Sequence, residues 1–485
     1  MADDDDVSSS DSVTETSTQG WFSRIGDAIK VQEILVQLLD NAVKFTAQGE
    51  VSVAVAANFT ADLDLKNLSV QLGEELEPLK LVEVSGRVSA GEVGTGLKQQ
   101  LFSFGKQGHA VTLSDFALRT DQGEVLPSTT AHHYYTASHD GRDEHHELQI
   151  TALDLEPLAR LAAHLPLSDQ ERRLLNDFAP RGQLNDFVIS WDGSTPGAGK
   201  FRFSGRFSQL ALKQQLPTAG TRASIGSPGF EGLSGEIDAN QDGGAVKLSG
   251  TQVNFRVAEL LNTPTLSFEE LSLNANWSLR DRHQLLLKIS NMNFSQSGLR
   301  GSLEGSHSIP WPISKGKPGD IDMRLQVPGL ELTRVGDFLP AGIPQSTRDW
   351  IRNALVDGRA SDVQMTIKGD LDRFPFQPAR PGEKAPGVFR ISARLDRAKL
   401  NPAPDELAQD KRTPLWHRID DIQGVFTLDQ TRIHIHADSA RTAGVQLSAV
   451  DAVIPDFLAG HAVLDVSGTA NGPLPLMLGY VNNTP

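Results

Sequence analysis

The chain of 485 residues carries 45 lysines and arginines against 61 aspartates and glutamates, a formal charge of −16. That balance excludes a broad nucleic-acid interface, because phosphate backbones are held by basic surface. With no cysteine, disulfides, thiolate zinc sites and cysteine nucleophiles are excluded as well.

Residues 1–18 read as a disordered acidic tail, too polar to offset chain entropy by burial. They have neither the basic start nor the apolar stretch of a signal peptide. Nowhere does a run of about 18 apolar residues mark a membrane-spanning helix. Residues 19–48 read as an amphipathic helical segment, with Ile34, Leu35, Leu38, Leu39, Ala42 and Phe45 recurring at threes and fours. Gln48-Gly49 ends it, and Val51, Val53 and Val55 begin a strand. Val31–Val55 resembles the N-box helix of sensor histidine kinases, which implies Asn41 as a Mg²⁺ ligand and Lys44 as a phosphate contact. The phosphoacceptor His box and the glycine-rich lid loops of those kinases are missing from the sequence. The segment is therefore expected to pack as a helix on the end of a sheet, with a nucleotide-binding fragment as the alternative.

From residue 49 onward the period is two. Phe201 and Phe203, Met323 and Leu325, Met365 and Ile367, Phe389 and Ile391, and Ile433 and Ile435 each alternate with polar partners. This is the pattern of antiparallel strands with one dry face and one wet face. With 43 glycines, 26 prolines and 6% aromatics, the expected fold is mainly β: a long curled antiparallel sheet with a few short capping helices. Helices able to cover so many dry faces are scarce. Those faces must cover one another, or cover something that is not protein.

Two internal repeats predict growth by addition of similar units. Leu153–Gly193 parallels Leu330–Gly369, each reading strand, Pro-marked bend, helix, Gly stop, strand. Residues 49–329 thus form a first β-groove region with a helical insertion at about 157–180, and 330–485 a second with a helix at about 346–357. In the second helix Ser346 or Thr347 is placed to cap, Gly358 to stop, and Trp350, Ile351, Ala354 and Leu355 to make one apolar face. Trp350 and Leu355 are expected to face inward. A shorter motif, apolar-x-x-apolar-x-Gly-x-apolar, recurs around Gly86, Gly235 and Gly424 and predicts bulges or close backbone approach. Pro217–Gly229 and Gln377–Gly387 read as long loops.

Histidines cluster at His132, His133, His139, His145 and His146. A polar hairpin turning at Asp140-Gly141 accounts for them, and no ligand spacing of a known metal site is present. His434 and His436 lie on one strand face and read as solvated. No G-x-S-x-G, P-loop or H-E-x-x-H occurs, so no catalytic, metal or cofactor residue is assigned.

Residues 61–485 resemble the YhdP family of AsmA-like envelope proteins. The resemblance is carried by Thr347–Val356, Gly358–Asp362 and Lys368–Phe376. Ala179–Gly182, Gly232–Gly235, Ile419–Gly424 and Tyr480–Pro485 support it. It implies a non-enzymatic protein of the bacterial periplasm, anchored in the inner membrane, that carries phospholipid along a hydrophobic groove. Family members begin with a membrane anchor and continue past the position of Pro485. The chain therefore reads as an internal portion joined to an unrelated N-terminus, with membrane contact through parts absent from it. Phe201, Phe203, Met323, Leu325, Met365, Ile367, Phe389, Ile391, Ile433 and Ile435 are the expected groove-lining residues. The alternative from another class is a structural β scaffold whose sheets close on themselves without lipid.

Overall fold

A computed structural model describes residues 58–483, except 74–75, 93–107, 139–140, 166, 168, 194–199, 216–227, 257–264, 312–316, 340–342, 381–382, 405–415 and 460–462. The acidic tail, the helical segment, Asn41 and Lys44, and the Val51–Val55 strand lie outside the described residues.

Among the described residues, nineteen strands make one open antiparallel sheet. The first group is β1 Asn58–Val70, β2 Leu79–Glu92, β3 Gly108–Thr120, β4 Val125–Thr136, β5 His145–Asp154, β6 Arg181–Asp192 and β7 Phe201–Leu212. Next come β8 Gly229–Asn240, β9 Gly243–Arg256, β10 Thr265–Arg280, β11 Gln284–Gln296, β12 Leu299–Pro310 and β13 Asp320–Glu331. The last are β14 Leu355–Asp370, β15 Val388–Leu400, β16 Ile419–Asp429, β17 Arg432–Thr442, β18 Val445–Ile454 and β19 Asp465–Asn471. The substantial strand–strand contacts all join chain neighbours. Because the chain reverses at each step, connections after odd-numbered strands gather on one rim of the sheet.

Both helical insertions lie on that rim. After β5 come α1, Leu155–Leu161, and α2, Asp169–Phe178; after β13 come a 3-10 turn, Leu332–Phe338, and α3, Gln345–Ala354. The repeat read from sequence is therefore structural. Its first copy is two helices rather than one over 157–180, since the chain between them carries Pro166, which cannot continue a helix. A short helix α4, Leu474–Asn483, follows β19 and was not foreseen, because Pro473 and Pro475 read as breakers although proline is tolerated in a first turn.

The second helix also departs from expectation at both ends. It starts at Gln345 behind Pro344 with no side-chain cap, so neither Ser346 nor Thr347 is the capping residue. It stops at Ala354, and Gly358 lies inside β14. There Gly358 takes φ +108°, and a Cβ on it would stand 2.5 Å from the Cα of Ala398. That glycine serves a strand crossing rather than a helix end.

Close approach is also the role of the shorter motif's glycines. A Cβ would meet the Phe116 backbone at 2.8 Å from Gly86, the Lys247 carbonyl at 2.1 Å from Gly235, and the His436 carbonyl at 2.0 Å from Gly424. Register shifts recur along the sheet, and residues there take positive φ, among them Asp115, Asp186, Gln209, Asp362, Arg397 and Asp421. Each extra residue bends its strand and increases local twist, which curls a single layer. The outward face carries cross-strand ion pairs such as Arg202–Asp238 and Lys368–Asp322, both at 2.7 Å. Exposed pairs of this kind contribute only tenths of a kcal/mol, to about 1 kcal/mol each. Their main effect is on register, since a one-residue slip would turn them inward.

Candidate functional site: an apolar trough along the inward face

The inward face can be followed residue by residue across paired strands. One row runs Leu153, Leu184, Phe207, Gly235, Leu248, Leu273 and Met292. It continues through Leu303, Leu325, Met365, Ile391, Leu428, Ile433 and Ile454. From β5 to β18, strand spacings of about 4.8 Å give an arc of roughly 60 Å. Only Gly235 in that row lacks an apolar side chain. A parallel row joins Met323, Ile367 and Phe389, and another joins Ala393, Phe426, Ile435 and Ala452. Phe201 and Phe203 belong to the same face, two residues apart on β7. The ten residues that alternate apolar with polar in the sequence lie on this one face.

The two halves of that face differ in how they are filled. Over β5–β8, Leu148, Ile189, Trp191, Phe203, Phe207 and Ala239 form a closed core, with Trp191 2% and Phe203 3% exposed. Phe203 is therefore protein core, stacked with Phe187 and Phe201 at 6.3 Å between ring centroids. Over β14–β18 the buried residues are mainly small: Ala360, Ala393, Ala398, Ala437 and Ala440. The large ones, Met323, Leu325, Met365, Ile367, Phe389, Ile391, Ile433 and Ile435, are only half-buried. Small residues make a floor and long side chains stand above it half-buried. The result is an apolar trough without a second sheet over it among the described residues.

The helical insertions cover only its rim end. Leu332 is buried there, with Val335 and Leu355 packed on the same alanine floor. Ala354 is 0% exposed, whereas Trp350 is 42% exposed and its indole Nε1 donates to the carbonyl of Pro402 at 3.1 Å. Of the expected inward pair, Leu355 packs inward and Trp350 does not. A tryptophan with a polar handle settles at an edge where that N–H finds an acceptor.

The histidine cluster is not simply a polar hairpin. His133 is 4% and His146 2% exposed, and both are buried with His109 (6% exposed) under the inward face. His146 stacks on Trp191 at 4.7 Å with ring planes 1° apart, and on His133 at 5.7 Å. Burial, reinforced by the neighbouring His109 and His146, pushes the pKa of His133 down to about 3, and burial lowers that of His109. The signal was present in the sequence. If Leu148 and Ile150 face inward, period two puts His146 inward too, provided the strand is extended back to His145. Asp140 and His139 lie outside the described residues, and the strands around them run Val125–Thr136 and His145–Asp154.

His434 and His436 lie on the solvent-facing side of β17, as expected, but are held there by a shared carboxylate. Nε2 of His434 and Nδ1 of His436 both bond Oδ1 of Asp451, at 2.8 and 2.9 Å. The two imidazoles hold the Asp451 carboxyl below its usual range, and Asp451 raises His436. Among the described residues, no three His, Asp or Glu side chains are placed to hold one metal ion.

A family model described as YhdP protein matches residues 15–485. The match begins well before residue 61 and takes in the segment that read as kinase-like, so that segment falls within the family region rather than before it. No curated protein and no solved structure matches the chain.

Proposed function

The chain belongs to the YhdP family, and from that premise and the half-open apolar face we propose that it carries phospholipid acyl chains along the trough. The observation that carries the reading is the run of large apolar side chains on β13–β17 left half-buried above an alanine floor. Monomeric soluble domains seldom leave so long a contiguous apolar surface without a ligand or partner. Acyl chains supply the missing cover, because each CH₂ moved out of water contributes about 0.8 kcal/mol. The phosphate headgroup stays in water at the trough mouth while the chains slide from strand to strand. No bond is made or broken, so no catalytic residue is required. The family is one of envelope proteins, and we place this chain in the periplasmic part of an inner-membrane-anchored protein. No helix among the described residues is long and apolar enough to cross a membrane.

Extraction of the purified protein and mass spectrometry of the organic phase is expected to recover phospholipid at roughly one or more per chain. Recovery no higher than from a control protein of similar size would overturn the reading. The closed core around Trp191 and Phe203 favours a second one for β5–β8, a scaffold that carries no cargo.

A further inference from the structure

The ladder between β12 and β13 is incomplete. It pairs from Ser308↔Asp320 only as far as Ser302↔Gln326, although β12 starts at Leu299 and β13 runs on to Glu331. The two strands part toward the helical rim. Pro328 stands on β13 just beyond the last pair and has no N–H to offer either neighbour. A cavity of about 630 Å³ lies where they part, with Leu271, Phe294, Val327 and Val363 from the inward face among its lining. Arg300 also lines it, together with the carboxylates of Glu270 and of Asp362, the latter paired with Arg394 at 3.4 Å; Arg300 is exposed and alternates outward from Gly301 and Leu303.

The internal repeat supplies the comparison. The strand pair preceding the first insertion parts in the same place, since β4 and β5 pair only from Thr136↔His145 to Ala131↔Ile150. There the gap is sealed. Thr129 Oγ1 donates to the carbonyl of Ala152 at 2.7 Å, Leu126, Phe116 and Leu161 of α1 fill it, and Arg160 pairs with Glu124 at 2.9 Å. At the second insertion, among the described residues, Arg334 bridges the rim from above by donating to the carbonyls of Gln296 and Ser297 at 3.4 and 3.1 Å. One copy of the same element is closed by side chains and the other holds a cavity.

We propose that the parted ends of β12 and β13 form a lateral portal in the trough wall. A phospholipid headgroup passes there while its acyl chains stay on the inward face, with Arg300 placed to meet the phosphate. This rests on the trough being a lipid conduit. Among the described residues the other neighbouring strands of β10–β18 stay paired up to this rim apart from local bulges, so the parted ends offer a headgroup a second way in or out beside the open mouth.

The cysteine-free chain makes a direct test available. Arg300→Cys and Pro328→Cys are introduced together and bridged by a reducible bis-methanethiosulfonate linker, with Ser308→Cys and Asp320→Cys on a paired rung as control. Each protein is loaded with NBD-labelled phosphatidylethanolamine, and release to phosphatidylcholine vesicles is followed. Bridging across the gap is expected to slow release at least fivefold, with recovery on reduction, while bridging the control rung changes it less than twofold. Equal release from the bridged and reduced protein, both holding lipid, would overturn the portal and leave the conduit standing. Failure of the unaltered protein to take up lipid would overturn the conduit, and the portal with it.

Discussion

Met365→Asp and Ile391→Asp are each expected to lower recovered phospholipid about tenfold or more, with the melting temperature within a few degrees of the parent. The two residues are cross-strand partners in the middle of the inward row, and both are half-buried. In the empty trough a carboxylate there keeps its water, so folding loses little. Once acyl chains fill the trough that water is displaced, and an unpaired charge in apolar surroundings costs several kcal/mol. Each 1.4 kcal/mol is a tenfold loss of affinity. Gln364→Asp, exposed on the opposite face, is expected to leave lipid recovery unchanged. The comparison also separates trough from sandwich. If these positions were core between packed sheets, the same substitutions would unfold the chain by burying a charge. Lipid extraction and thermal denaturation of the three variants read both outcomes.

Acid destabilises the β3–β6 region through its buried imidazoles. The folded pKa of His133, about 3, lies below the unfolded value of 6.5, so the unfolded chain takes up the proton first. The stability it contributes is complete above pH 6.5 and is lost as pH falls toward 3. For one group the slope approaches about 1.4 kcal/mol per pH unit, so going from pH 6.5 to 5 costs on the order of 2 kcal/mol. His109 acts in the same direction. His436, raised by Asp451 at the surface, acts in the opposite one. Thermal denaturation at pH 7.5 and pH 5 is expected to show a marked fall for the parent and a smaller fall for His133→Leu, which fills the site without a titrating group. The same fall in both would show that the buried histidine is not the cause.

What could be read from the sequence follows from what is local. Alternation of Phe389-Arg-Ile391 or Ile433-His-Ile435 is a property of neighbouring residues, and in the sheet these apolar residues share one face with their cross-strand partners. The repeated glycines were legible for the same reason, since only close backbone approach explains a glycine recurring inside strands. The two-fold insertion was visible because both copies retain the same order of signals. Other features depend on partners far along the chain. Whether Phe203 is core and Ile391 is open depends on the bulk of the residues stacked beside them, aromatic rings in one half and alanines in the other. Trp350 looked like an anchor by helical spacing, but the carbonyl of Pro402 holds it at the edge. Gly358 looked like a helix stop until the closeness of Arg397 and Ala398 on β15 gave it another purpose. The unzipped β12–β13 ladder leaves only one trace in sequence, Pro328, and a strand proline alone does not say which neighbour is lost.

The proposed conduit puts acyl chains on the inward face of the β10–β18 trough. Photo-crosslinking with a phospholipid carrying a diazirine in its acyl chain, followed by peptide mapping, tests it most directly. Adducts are expected on Met323, Leu325, Met365, Ile391 and Ile433, and none on their outward neighbours Arg324, Gln364 and Arg390. Adducts spread equally over both faces, or confined to residues outside the inward row, would contradict it.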